Sequence, residues 1–164
     1  MARMDRVNEL QQPGEVKAHV EIYSDGACRG NPGPGGWGTL LRMNQHEREL
    51  RGSERLTTNN RMEMTAALEG LKALTRSCRV DVYTDSRYLC DGMSSWMSGW
   101  KRKGWLKVDS TQIKNVDLWL ELDRLSQKHE VLWHWVRGHA GHVDNERVDR
   151  LANRAIDELL RGGA

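Results

Sequence analysis

The sequence predicts an α/β protein with one mixed five-stranded sheet flanked by helices. Two segments, His19–Tyr23 and Arg79–Tyr83, alternate in side-chain character as strands do, and they run into Asp25 and Asp85. Two further strand segments are separated by residues 44–46, a link short enough for an antiparallel connection. Helix-like stretches separate the remaining segments, as crossovers between parallel strands require.

The elements can be placed in order along the chain. Residues 1–16 are polar and are expected to form a flexible N-terminal extension, which leaves residues 17–164 as a single domain. After the first strand, Arg29–Gly36 is rich in glycine and proline and is predicted to be a loop. The other strands are predicted at Trp37–Met43, Glu47–Glu54, Val80–Thr84 and Val131–Val136. Helices are predicted at Asn60–Leu74, from a Ser86 cap to Met93, and at Val116–Leu125 and Glu146–Leu160.

Composition excludes several classes of protein. The chain has 164 residues, a net charge of +2 and three cysteines without a CxxC pair, which argues against a disulfide scaffold and a cysteine-based zinc site. It contains no apolar run of membrane-spanning length, and its N-terminus has no signal-peptide core. We therefore expect a cytoplasmic monomer without membrane contact.

The two strand-end aspartates predict a ligand site. If their strands are parallel neighbours, Asp25 and Asp85 emerge at one edge of the sheet, where α/β folds bind ligands. Two more acids, Glu63 and Asp149, lie at the border between the apolar and polar sides of predicted helices. A half-buried carboxylate is unfavourable unless it is paired or bound to a metal.

Each acid also has an ordinary structural interpretation. Glu63 follows Asn60 at the spacing of a capping box. Asp149 could be a first-turn acid that interacts favourably with the helix dipole, or it could pair with Arg147 or Arg150. Asp25 could belong to a turn before Gly26, and Asp85 could be an acid at a helix start. For any one acid alone, these interpretations are the more common.

Together, the acids favour metal-dependent phosphoryl chemistry. Hard oxygen ligands suit Mg²⁺ or Mn²⁺, and two such ions can hold the attacking and leaving oxygens of a phosphodiester. The sequence has no GxSxG elbow and no GxxxxGK[ST] or GxGxxG phosphate loop.

Four motifs, in order, resemble those of bacterial type 1 ribonuclease H. They are Asp25–Gly38, Thr57–Glu63, Thr84–Ser86 and Gly138–Asp149, and the resemblance extends over residues 23–152. It implies a ribonuclease H-like fold and endonucleolytic cleavage of the RNA strand in RNA–DNA hybrids. It further implies two Mg²⁺ ions, for which Mn²⁺ can substitute, and products with 5′-phosphate and 3′-hydroxyl ends.

The resemblance also assigns roles to the acids. Asp25, Glu63, Asp85 and Asp149 match the metal-binding carboxylates, with Asp25 bridging both ions. His139 matches the residue that shuttles a proton or helps product release. Glu146 matches an outer-shell position.

Further positions match groups that contact the hybrid. Asn31, Asn59 and Asn60 match residues that read the minor groove, and amides can hydrogen-bond 2′-hydroxyls. Turn formation by Asn31 and helix capping by Asn59 or Asn60 are the structural alternatives. Thr58 and Arg42 match positions near a DNA-strand phosphate.

The chain departs from the family pattern at Arg87, where glutamine is common. Arg87 would add a phosphate contact, while amide readout at this position is put in doubt.

A basic, tryptophan-rich segment at residues 96–108 resembles the family's basic handle. It contains no acid, and tryptophans at 96, 100 and 105 alternate with Lys101, Arg102, Lys103 and Lys107. The segment is interpreted as a small helical lobe that binds DNA-strand phosphates without sequence preference. The alternative is a solvated basic face.

Two other functions remain possible on the sequence alone. Another metal nuclease of the same superfamily, such as a transposase or junction-resolvase core, also places acids at strand ends. A non-catalytic hybrid-binding module is the second alternative, and the retention of all four acids and His139 argues against it.

Overall fold

A computed structural model describes residues 17–107 and 109–162. The predicted extension at residues 1–16, and the residues at 108, 163 and 164, lie outside the described residues.

The five strands form one mixed sheet, as predicted. They are β1 (His19–Cys28), β2 (Gly33–Met43), β3 (His46–Thr57), β4 (Arg79–Thr84) and β5 (Glu130–Trp135). The spatial order is β3-β2-β1-β4-β5. The first three strands are an antiparallel meander, and β4 and β5 extend the sheet in parallel from β1. The pairing of β1 with β4 stops at Ser24 and Thr84, and this edge of the sheet is where α/β folds place ligand sites.

The helices lie on both faces of this sheet. They are α1 (Asn59–Lys72), α2 (Arg87–Asp91), a π-helix (Gly92–Trp96), α3 (Met97–Arg102), α4 (Val116–Ser126) and α5 (Val143–Arg161). The larger core lies between the sheet and helices α1 and α4, around fully buried side chains such as Ile22, Leu71 and Trp119. On the opposite face α5 covers β1, β2 and β3, with Leu40, Val148 and Leu151 buried between them.

The predicted loop at Arg29–Gly36 is partly strand, which corrects its boundaries. β1 continues past Asp25 to Cys28, and β2 already begins at Gly33. Gly36, one of the glycines that suggested a loop, serves packing, as does Gly38 farther along β2, because side chains at these positions would collide with the α5 backbone at Ala152 and Val148. Their absence of a side chain lets α5 lie directly on the sheet.

Helix α5 starts three residues earlier than the predicted Glu146, at Val143. No helix within residues 17–107 and 109–162 is long and apolar enough to cross a membrane.

Candidate active site

Asp25 lies within β1, directly after the part of that strand that pairs with β4, and Asp85 follows the last residue of β4, so both acids lie at the same edge of the sheet. The two strands are parallel and in register up to the pair Ser24 and Thr84, and the next residue of each chain is an aspartate. Hydrogen-bonded strands lie about 4.8 Å apart, so this register places the two side chains side by side.

Helix α1 brings Glu63 to this pair. Gly26 permits the approach, because a side chain there would collide with the backbone of Met62 and Glu63. The helix is capped by Thr58, whose hydroxyl accepts a hydrogen bond from the Arg61 backbone N–H at 3.3 Å.

The capping-box interpretation of Glu63 with Asn60 is therefore wrong. The N-cap is Thr58, two residues before the predicted one, and Glu63 accepts a hydrogen bond from the side-chain amide of Asn59 at 2.6 Å. Its carboxylate thus bonds to the side chain of the first residue of α1 and belongs to the acidic site.

Carboxylate oxygens of Asp25, Glu63 and Asp85 lie within 4.8 Å of one another. Asp25 is 4% exposed and Glu63 8% exposed. Burial, together with the charges of Asp85 and Glu63 and a hydrogen bond with Asp149, raises the pKa of Asp25 well above its usual range. Burial raises the pKa of Glu63 to about 7, although hydrogen bonds from Ser86 and Asn59 oppose the shift.

Asp149 of α5 lies near enough to Asp25 to help raise the pKa of that carboxyl group. The structure does not support its two alternative roles. It is the seventh residue of α5, beyond the first turn where the helix dipole acts, and Arg147 pairs with Glu47 and Glu49 instead.

The donor set fits a hard divalent cation. It consists of carboxylate oxygens, the ligands that Mg²⁺ and Mn²⁺ prefer. Burial first, and then the neighbouring acids, raise the pKa of Asp25, and a bound cation would offset both effects by stabilising the charged carboxylates. Asp25, Glu63 and Asp85, with Asp149 beside them, could therefore hold metal.

The loop that carries His139 passes directly beside Asp85. A Cβ atom on Gly138 would lie 2.6 Å from Asp85 Oδ2. His139 itself is exposed, has a φ of 56°, and is followed by Gly141 with a φ of 82°. His139 is therefore exposed to solvent one residue after the loop's contact with Asp85.

Comparison with known proteins gives the family. The sequence model of the RNase H family matches residues 17–157. A ribonuclease H of Halorhodospira halophila is 59% identical over 146 residues, which cover 89% of this chain and 98% of that one. The chain belongs to the RNase H family.

Solved structures of RNase H proteins share the fold. LC9-RNase H1, described as a type 1 RNase H with the type 2 active-site motif, is 37% identical with a TM-score of 0.80, over 88% of this chain and 74% of that one. LC11-RNase H1, solved in complex with an RNA/DNA hybrid, is 24% identical with a TM-score of 0.67, over 86% and 99% of the chains. At that identity the likeness to LC11-RNase H1 concerns the fold.

In this RNase H family member, the predicted minor-groove residues surround the start of α1. The side-chain oxygen of Asn31 accepts a hydrogen bond from the Asn59 backbone N–H at 3.1 Å, which joins the loop after β1 to the helix. Asn31 and Asn60 are exposed, whereas Asn59 and Thr58 are partly buried. Asn59 also orients Glu63, a role that the sequence did not indicate.

Arg87 is placed beside the acids by Trp135. The indole N–H of Trp135 donates to the backbone oxygen of Asp85 at 3.0 Å, and the Arg87 guanidinium lies 4.1 Å above the indole ring. Arg87 is thus an exposed cation at the site edge. Sequence analysis missed Trp135 as a site residue, although its position at the end of β5 beside β4 is a signal for it.

Arg42 lies farther from the acidic site. It pairs with Glu21 in the sheet, four residues along β2 from the partner of Asp25, which corresponds to about 13 Å. Its guanidinium contacts Asp144 and Glu47.

The basic handle is a helical lobe that packs by its tryptophans. Trp100 is the centre, with ring centroids 5.8 Å from Trp96, 6.1 Å from Trp105 and 5.2 Å from Trp119 of α4. The lobe begins with the π-helix and α3 and ends in a turn, with residue 108 outside the described residues. Of its three central cations, Arg102 and Lys103 are exposed, and Lys101 pairs with Asp123 at 3.2 Å.

Proposed function

We propose that this protein hydrolyses the RNA strand of RNA–DNA hybrids with two Mg²⁺ ions held by Asp25, Glu63, Asp85 and Asp149. The convergence of three carboxylates, from β1, α1 and the end of β4, within 4.8 Å of one another is the observation that carries the proposal. Membership of the RNase H family supports the substrate class. The products would carry 5′-phosphate and 3′-hydroxyl ends.

The bound ions would supply Lewis acidity and stabilise the negative charge that develops on the phosphate. The chain's own residues would position the carboxylates and move the proton. Asn59 orients Glu63 through its 2.6 Å hydrogen bond, and Gly26 keeps α1 close enough for Glu63 to join Asp25. His139, exposed on its turn beside Asp85, would move a proton to or from the reacting oxygen.

Substrate recognition would use the surface around these acids. Asn31, Asn59 and Asn60, with backbone groups, would hydrogen-bond 2′-hydroxyls in the minor groove. Thr58 and Arg87 would contact phosphates close to the site, and Arg42 stays a sequence prediction for such a contact. The handle cations Lys101, Arg102 and Lys103 would attract DNA-strand phosphates.

We also propose that the protein acts as a monomer in the cytoplasm. Its three cysteines are free thiols, two of them buried, which suits a reducing compartment. Size-exclusion chromatography with light scattering measures the oligomeric state.

One experiment separates the proposed function from its rivals. Labelled RNA–DNA hybrid, RNA duplex and DNA duplex are incubated separately with the protein and Mg²⁺. Cleavage confined to the RNA of the hybrid is expected. Cleavage of the DNA duplex would favour another nuclease of the superfamily, and binding of hybrid without cleavage would favour a non-catalytic module.

A further inference from the structure

A chain of ion pairs joins the first turns of α5 to the hairpin of β2 and β3. Arg42 makes two hydrogen bonds to Asp144, both 2.9 Å long, and contacts Glu47 at 2.7 and 2.8 Å. Arg147, three residues after Asp144, bonds to Glu47 at 3.0 Å and to Glu49 at 2.6 Å. These five residues are called the charged clamp below.

Apolar packing contributes little at this end of the helix. Among residues 143–147, all of which the structure describes, Asn145 alone is buried and Val143 is 74% exposed. The N-cap residue His142, also among the described residues, makes no side-chain capping hydrogen bond. The ion pairs are therefore the main attachment of the first turns of α5 to the sheet.

Asp149 lies between the part of α5 that the ion pairs attach to the hairpin and the part whose backbone packs directly on the sheet. From Val148 to Ala152 the helix backbone rests directly on Gly36 and Gly38. Asp149 follows Asp144 by five residues, or about 7.5 Å along the helix. The clamp thus fixes the turn of helix that precedes the acid, and the His139 loop enters the helix at the same end.

Arg42 has little capacity left for a substrate phosphate. A guanidinium has five N–H donors, and the contacts of Arg42 to Asp144 and Glu47 occupy most of them. The Glu21 carboxylate lies 3.8 Å from Nη1. With Glu21 included, the cluster holds four carboxylates and two guanidinium groups, so its excess charge is negative and repels phosphate.

We infer that Arg42 is a positioning residue for hydrolysis and not a phosphate ligand. Through Asp144 it holds the start of α5, and so fixes Asp149 against Asp25 and the His139 loop against Asp85. The inference rests on the proposed function, since it states what the clamp does for that active site.

The test is the Arg42→Gln variant, which keeps a polar side chain but loses the bidentate pair. A small displacement of a catalytic group reduces turnover strongly, so kcat should fall about ten- to a hundredfold. The Mg²⁺ concentration for half-maximal activity should rise, while KM for hybrid and its salt dependence stay within about twofold of the parent. Amide hydrogen exchange of residues 143–149 should accelerate without substrate or metal, which measures the attachment independently of activity.

Arg51→Gln is the matched control. Arg51 also joins the hairpin to α5, through two hydrogen bonds of 2.8 and 2.9 Å to Glu158, but this contact lies nine residues beyond Asp149, about 13.5 Å along the helix. Its loss should leave kcat, Mg²⁺ dependence and exchange of residues 143–149 as in the parent.

Two further variants separate positioning from phosphate binding. Arg42→Lys keeps the charge but not the bidentate geometry, so it should remain impaired. Asp144→Asn should reproduce the Arg42→Gln phenotype, and the double variant should be no worse than the more impaired single variant. If thermal unfolding shows that Arg42→Gln does not fold, Asp144→Asn takes its place in each assay.

A raised KM with a salt slope lower by about 0.9, unchanged kcat and full rescue by lysine would overturn the inference in favour of a phosphate contact. Equal acceleration of exchange in Arg42→Gln and Arg51→Gln would also overturn it. If the parent protein cleaves no hybrid, the proposed function fails, whereas the exchange comparison still decides whether the clamp holds α5.

Discussion

Two acidic sites on the same pair of parallel strands have opposite surroundings. Asp81 of β4 is hydrogen-bonded to His134 at 2.6 Å and to His19 at 2.5 Å. Burial opposes ionisation of Asp81, but these histidines lower its pKa below the usual range. Four residues later the chain reaches Asp85, which with Asp25 belongs to a cluster of acids where burial and like charge raise the pKa of Asp25.

This difference in surroundings distinguishes a structural carboxylate, Asp81, from the carboxylates of a candidate ligand site, Asp25 and Asp85. At Asp81 the neighbouring strands β1 and β5 provide histidine hydrogen-bond partners, so the carboxylate is satisfied within the fold. Around Asp25, Glu63 and Asp85 the described residues leave the negative charge in excess, which favours a bound divalent ion. Variants at each site should therefore affect different properties.

The largest effect is expected for Asp85→Asn. It should reduce cleavage by more than about a thousandfold while hybrid binding persists, because it removes a proposed metal ligand. Without metal, thermal stability should be equal or higher, since one of several repelling charges is lost. Near-normal cleavage by this variant would contradict the two-metal assignment.

A smaller loss is expected for His139→Ala, about ten- to a thousandfold in kcat, because proton transfer assists a reaction that the acids and their metal ions support. Hybrid affinity and the metal requirement should be unchanged. The assay is steady-state cleavage between about pH 6 and 9, a window around the ordinary histidine pKa. Parental activity throughout that window would remove His139 from the mechanism, and complete inactivity would make it a ligand or a structural residue.

Changing Lys101, Arg102 and Lys103 together to alanine should raise KM more than it lowers kcat. These exposed cations would bind ground state and transition state alike. The salt dependence of hybrid affinity should weaken by up to about 0.9 per phosphate contact removed. Lys101→Ala alone serves as the internal control and should contribute least, because Asp123 already neutralises that charge. An unchanged salt slope in the triple variant would show that the three cations form a solvated basic face and do not bind phosphate.

The smallest effect on activity is expected for Asp81→Asn, which should keep parental cleavage and lose about 1–2 kcal/mol of stability. Because the folded-state pKa of Asp81 lies below its ordinary value of 3.8, its contribution is present above that value and is lost as pH falls through the folded-state pKa. The stability difference between parent and variant, measured by denaturant unfolding, should therefore shrink below about pH 4. A cleavage defect like that of Asp85→Asn would contradict the comparison.

The sequence predicted the strands and the acidic edge because both follow from local patterns. Alternation and strand-end aspartates need no distant information. The environment of Asp81 could not be predicted in the same way, since His19, Asp81 and His134 meet only through the register of three strands. The charged clamp was missed for a similar reason, because Arg42 and Asp144 are 102 residues apart in sequence. The end of the loop was predicted wrongly because of Gly36, since glycine needed for helix packing has the same local pattern as glycine needed for a turn.

The tryptophan packing of the handle has an optical consequence. The chain contains no phenylalanine, and four of its seven tryptophans, Trp96, Trp100, Trp105 and Trp119, form a continuous series of neighbouring rings. Near-ultraviolet circular dichroism depends on fixed packing of aromatic groups. A large part of that signal should therefore come from the junction between the handle and α4. The protein therefore carries a built-in optical reporter of how the handle packs on α4.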